Sequence, residues 1–187
     1  MSRWGPEGPP DKAYSRVTNP ERYAPLHDMA SELLDRLESE FDVESVTGYG
    51  LDPELEDRQL ARPSRRLTPR APNAAPVVVS FTTFPGVSAR FGRWHSEAFP
   101  ECGCDACDES VAEAFERLED FVAGVTAGMF RESLRGARLG DGWLSYELIV
   151  PRGGRRSGEG RIERTRAKRM LAGSEAASYE WVRWPKK

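Results

Sequence analysis

The chain has 187 residues, the length of one domain with appendages, and at that size it can bury about 70% of its unfolded surface without disulfide staples. Hydrophobic residues make up 39% and charged residues 30%, which is polar for a globular chain, while 10% aromatics exclude a fully disordered one. Twenty-seven Lys and Arg against thirty Asp and Glu leave a net charge of -3, which by itself argues against an obligate nucleic-acid binder.

Residues 1–17 are rich in Gly and Pro and read as a disordered or loosely packed arm, leaving 18–187 as a single domain. They hold no apolar stretch of the kind a signal peptide needs. Thr18 and Glu21 stand at capping-box spacing with Pro20 between them, a helix start. Leu26, Ala30, Leu33, Leu37 and Phe41 then recur at steps of 4, 3, 4 and 4, so an amphipathic helix is predicted over roughly 21–41. Residues 43–49 suit a short strand. Five prolines between 52 and 76 mark a long connection, with 53–61 as a possible short helix.

The run from Val77 to Phe84 is almost wholly β-branched or aromatic and is the strongest strand signal. Pro85-Gly86 is a turn, and residues 87–94 return as a second strand with Val87, Ala89 and Phe91 on one face. Val111, Phe115, Leu118, Val122, Val125 and Met129 form a long helical stripe started by Ser110 and Glu113 at capping-box spacing. Gly124 and Gly128, one turn apart, would admit another element closely. Gly140-Asp141-Gly142 reads as a turn, 143–150 as a strand, 151–160 as a mobile loop within an Arg- and Gly-rich stretch over 152–169, and 179–184 as a last strand. The predicted fold class is α+β, an antiparallel or mixed sheet packed by two main amphipathic helices.

No apolar run approaches the ~20 residues of a membrane span; the longest is Val77 to Val79. The small net charge hides four blocks: -8 over 1–60, +6 over 61–94, -8 over 97–120 and +7 over 152–187. Such blocks either neutralise one another on folding or leave a basic face for an anionic partner. Arg outnumbers Lys 23 to 4, the bias of a high-GC bacterial genome, which discounts each Arg as a binding signal.

All three cysteines fall between 102 and 107, in a knuckle spanning 99–109. Cys104 and Cys107 have the two-residue gap that turns both thiolates toward one ion, and Cys102 adds a third across Gly103, a residue free to bend. Three thiolates favour Zn²⁺. His95 is the leading fourth ligand, with Asp105, Asp108, Glu109 or water as others. The competing readings are three reduced, unmetallated thiols, a disulfide such as Cys102–Cys107, and a catalytic Cys with His95 as base. An odd thiol cluster without a secretory signal suits the cytoplasm.

The run Phe99-Pro100-Glu101-Cys102-Gly103-Cys104-Asp105-Ala106-Cys107-Asp108-Glu109, with Phe84 to Val87 and Gly92-Arg93-Trp94 before it, resembles a family of uncharacterised actinobacterial proteins, a domain of unknown function. The likeness runs from about Thr18 to the C-terminal tryptophans. It implies a bacterial cytoplasmic domain and transfers no catalytic residue.

No convergent acid–base or nucleophile set is legible. The leading expectation is a non-enzymatic interaction protein with a structural zinc site and a protein partner. Two alternatives stand beside it: a nucleic-acid binder using residues 152–169, where Arg clusters precede Trp181 and Trp184, and a zinc-dependent or thiol-redox enzyme.

Overall fold

The computed structural model describes residues 4–137, 140–172 and 174–187. The fold is α+β with two antiparallel sheets where one was expected. The first runs in the order β1 (Val43–Gly48), β2 (Leu60–Pro69), β3 (Val77–Thr82), β4 (Val87–Phe91), β5 (His95–Phe99). The second has the order β8 (Arg155–Ile162), β7 (Gly140–Ile149), β6 (Phe130–Ala137), β9 (Ala176–Glu180). Three helices accompany them: α1 (Pro25–Glu40), α2 (Val111–Thr126) and α3 (Arg164–Leu171). No helix among the described residues is long and apolar enough to cross a membrane.

The β3–β4 hairpin turns at Pro85-Gly86 with Phe81 opposite Val87, and Val87, Ala89 and Phe91 are all buried. The apolar row of α1 is buried from Leu26 to Leu37 and continues to Phe41. On α2 the expected stripe is buried at Leu118, Val122 and Val125 and half-buried at Val111 and Phe115; Phe121 and Ala114 join it, and Met129 lies beyond the helix, 38% exposed. These residues share one hydrophobic cluster with Leu67, Val77, Val79, Phe81, Phe91 and Trp184. A second cluster joins Trp94 and Leu134 to Ile162, Ala167 and Leu171 of β8 and α3.

Several sequence expectations are corrected. Residues 60–69, read as connection, form β2; two register shifts break its period-2 alternation and hide it. Gly140 to Gly142 begin β7. The Arg-rich 152–169 segment is mostly strand and helix. Five of its arginines meet carboxylates: Arg152 Glu119, Arg155 Glu147, Arg156 Asp120, Arg161 Asp141 and Arg166 Glu54. On the other side, Arg65 of β2 reaches Asp35 and Glu38 of α1 at 2.6 and 2.7 Å. The charge blocks therefore cancel pairwise across elements. Gly124 and Gly128 do admit close neighbours: a Cβ on Gly124 would strike Leu148 and Ile149, and one on Gly128 the backbone of Val182 and Arg183.

A buried carboxylate joins the two sheets. Glu132 of β6 accepts from the backbone N–H groups of Arg93, Trp94 and His95 at 2.6, 2.8 and 3.0 Å, and from Trp181 Nε1 at 3.1 Å. Gly92 makes room for it. Its φ is +65°, and a Cβ there would meet both the Glu132 carboxylate and the Trp181 indole.

Candidate metal centre

The knuckle lies between β5 and α2, so its position follows from where those elements stop and start. Ser110 caps α2 as its sequence predicts: its hydroxyl oxygen accepts from Glu113 N at 3.2 Å, and Glu113 accepts in turn from Ser110 N at 2.8 Å. Upstream, the Phe99–Pro100 peptide is cis. Between them the chain turns back, with Asp108 at φ +52° in the left-handed region. Gly103 has a different part from the one expected. It is not in the left-handed region; its missing Cβ instead admits the ring of Phe84 from the β3–β4 turn.

The turn brings the three cysteines together. All three Sγ atoms lie within 4.8 Å of one another, and Cys104 Sγ stands 3.5 Å from Cys107 Sγ. Zn–S bonds of about 2.3 Å in a tetrahedron place sulfurs ~3.8 Å apart, so small adjustments would close this set on one ion. The thiols are free. Cys104 is buried and Cys107 exposed, so the cluster is closed on one side and opens to water on the other.

The local field favours a thiolate at Cys104. The Cys107 backbone N–H, and then the thiols of Cys102 and Cys107, lower its pKa to about 7. Hydrogen bonds shared with Cys102 and Cys104 push Cys107 up to about 12. One proton is thus loosely held and one tightly, and a metal ion would displace both.

The candidates for a fourth ligand fare differently. The group formed by Cys102, Cys104 and Cys107 does not include His95. That residue opens β5, where its ring stacks with Phe91, Phe121 and Tyr146, and its side chain is only 7% exposed. Strand β5 turns the ring of His95, expected as the fourth ligand, into the aromatic core, outside the group of three sulfurs. Asp105 accepts from Thr18 N and Thr18 Oγ1. Glu109 accepts from Glu101 N and Arg117 Nη2, both at 2.8 Å.

The neighbours missed by sequence reasoning are structural. Asp105 N donates to Arg16 O at 2.7 Å and Ala106 N to Ala13 O at 3.1 Å. Ala13, Cys104 and Ala106 form a buried cluster with Trp4 and Cys102 packed against it. Residues 4–17, expected as a loose arm, are mostly exposed yet lie strapped over the cysteine turn, with one 3-10 turn at Asp11–Ala13. Thr18 ties to Asp105 instead of capping a helix. On the far side, the buried Tyr23 hydroxyl donates to Glu109 O at 2.9 Å.

The sequence model of a family of unknown function, DUF6226, matches the chain over residues 1–187. No curated protein matches it. No solved structure matches it either.

Proposed function

The chain belongs to DUF6226, a family of unknown function, and from the cysteine turn we propose that it is a non-enzymatic binding protein stapled by a structural Zn²⁺. Cys102, Cys104 and Cys107 would be its protein ligands and water its fourth. The observation that carries this reading is the convergence of three free sulfurs within 4.8 Å. The ion would fasten together the segment before Thr18, the β3–β4 turn and the approach to α2, all of which meet at the knuckle.

A structural role is favoured over the Cys–His catalytic one because neither histidine stands at the sulfurs. His95 lies in the aromatic core, and His27 Nε2 is 2.8 Å from Gly86 O. Three thiols within reach of one another suit a reducing cytoplasm, and a protein partner fits a stapled domain of this kind.

The test is metal analysis of protein purified under reducing conditions without added zinc. One zinc per chain is expected, with Cys104→Ser losing most of it. Chelation should lower the melting temperature and open residues 4–17 to protease. Metal-free protein, or metal whose removal leaves the melting curve unchanged, would overturn the staple.

A further inference from the structure

The cysteine turn supports a second chemistry beside metal binding, because two of its sulfurs already touch. Cys104 Sγ and Cys107 Sγ are 3.5 Å apart, at the two ends of the turn through Asp105 and Ala106, and both thiols are free. A disulfide holds its sulfurs at about 2.05 Å, so a small closing movement turns this contact into a bond. Cys102 completes the group within 4.8 Å.

The two touching sulfurs differ in access. Cys107 is exposed and borders, with Arg22 and Ser110, a cleft of about 570 Å³, while Cys104 is buried behind it. An oxidant arriving from solvent therefore meets Cys107 first and leaves it in contact with a second thiol that can resolve it. With the ion bound, both sulfurs are thiolates, so access decides the order of attack. Cys104 is also the sulfur that touches the N-terminal strap. It shares a buried cluster with Ala13 and Ala106, and the N–H groups of Asp105 and Ala106 donate to Arg16 O and Ala13 O. The turn that oxidation would tighten is thus the turn that holds residues 4–17 down.

We propose that Cys107 is a site of reversible oxidation by hydrogen peroxide, which forms a Cys104–Cys107 disulfide, expels the zinc and loosens the strap. This rests on the three-sulfur site of the proposed staple. In the first step a lone pair on Cys107 Sγ attacks one peroxide oxygen. The O–O bond breaks, and hydroxide leaves and takes a proton from solvent to become water. Cys107 is then a sulfenic acid. Cys104 Sγ attacks that sulfur; the S–S bond forms, the S–O bond breaks, and a second hydroxide leaves and is protonated. In sum, two thiolates, one peroxide and two protons give one disulfide and two waters, with two electrons passing from sulfur to peroxide. The ion loses two of its three protein ligands, and Cys102 alone does not hold it. A thiol reductant reverses the change.

The test treats the reduced full chain with hydrogen peroxide, stops the reaction with catalase, blocks the remaining thiols and maps the digest by mass spectrometry. One Cys104–Cys107 disulfide per chain is expected, with Cys102 recovered as a blocked thiol. Zinc released to a chromogenic chelator should rise in step with the disulfide, and cleavage within residues 4–17 should quicken about tenfold. Dithiothreitol with added zinc should restore both. Cys102→Ser should still form the disulfide, whereas Cys107→Ser should form none. Oxidation that stops on a single sulfur, a disulfide that uses Cys102, or a strap equally protected before and after peroxide would each overturn the assignment. The staple is scored separately: a chain purified without zinc fails the staple while its digest still scores the disulfide. A chain whose zinc and thiols both survive peroxide keeps the staple and overturns the oxidation site.

Discussion

Thr18 and Asp105 lie 87 residues apart in sequence and share one carboxylate oxygen: Thr18 N and Thr18 Oγ1 both donate to Asp105 Oδ1, at 3.1 and 3.0 Å. Asp105 is buried, so this pair closes the N-terminal strap over the cysteine turn. Such hydrogen bonds are worth about 1–1.5 kcal/mol each. Asp105→Ala is expected to destabilise the fold by about 2–3 kcal/mol and to speed proteolysis between residues 4 and 17. Thr18→Val removes only the hydroxyl donor and should cost about 1 kcal/mol. Urea denaturation with timed proteolysis checks both; a strap equally protected in Asp105→Ala would refute the link.

Glu132 gives the fold an unusual pH dependence. Burial raises its pKa above the ordinary 4.5, and hydrogen bonds from Arg93, Trp94, His95 and Trp181 pull it only part of the way back. A raised carboxylate holds its proton more tightly folded than unfolded. The stability from protonated Glu132 is therefore full below 4.5 and is lost as pH rises through the folded value. Glu113 and Glu163, lowered by hydrogen bonds from Ser110 and Thr165, act oppositely: their contribution is present above 4.5 and fades as pH falls through their folded values. Glu132→Gln sets an amide NH₂ against two of the four donors and should cost about 1–3 kcal/mol. Its deficit relative to the parent should narrow as pH rises above 4.5 through the parent's folded value and the parent loses its proton. A deficit that widens over that range would show the pKa to be lowered instead.

The same carboxylate explains why part of the fold was illegible in the sequence. The elements that were legible, α1, α2 and the β3–β4 hairpin, bury apolar residues at regular periods, and α2 and the hairpin carry their own cap and turn. Strand β6 alternates too, but its inward row is Phe130, Glu132, Leu134, and a charged residue in the middle breaks the pattern. In β8 the inward row is Arg156, Gly158, Gly160, Ile162: it lines a cleft instead of a core, so hydrophobicity gives almost no signal. Strand β2 is masked by its bulges and by Arg62 and Arg65, which spend their charge on α1. The cysteines were legible as a cluster because spacing alone brings them together. The absence of His95 from that cluster was not, since seven residues of separation say nothing about the direction of a side chain on β5.

A buried ion pair ties Asp52, between β1 and β2, to Arg90 of β4. Asp52 Oδ1 accepts from Arg90 Nη2 at 2.8 Å and Nε at 3.1 Å, and the two side chains are 2% and 7% exposed. Removing one partner of such a pair costs about 3–5 kcal/mol, because the other charge stays buried and alone. Glu54 lies 3.7 Å from Arg90 Nη2 and can take up part of the charge, which places Asp52→Ala near 3 kcal/mol. Asp52→Ala with Glu54→Gln should then cost more than the sum of the single changes. A strictly additive double mutant, measured by urea denaturation, would exclude Glu54 as the reserve partner.

Gly128 has no room for a side chain. It follows the end of α2 with φ at +72°, where an L-residue is strained by about 1–3 kcal/mol. Its missing Cβ also lets the backbone of Val182 and Arg183 pass directly beside it. That approach matters because Trp184 N donates to Thr126 O at 3.0 Å and Trp184 Nε1 to Ala75 O at 2.9 Å, fixing a side chain only 1% exposed in the main core. Backbone cannot swing aside as a side-chain tip can, so Gly128→Ala adds a packing penalty of about 1–3 kcal/mol to the strain. The expected loss is about 2–6 kcal/mol, with Trp184 fluorescence shifting toward that of solvated indole. Gly160→Ala, at a position open on all sides and without positive φ, should stay within about 0.5 kcal/mol of the parent. If the two alanine variants prove equally stable, the close passage of the C-terminal segment over α2 does not occur.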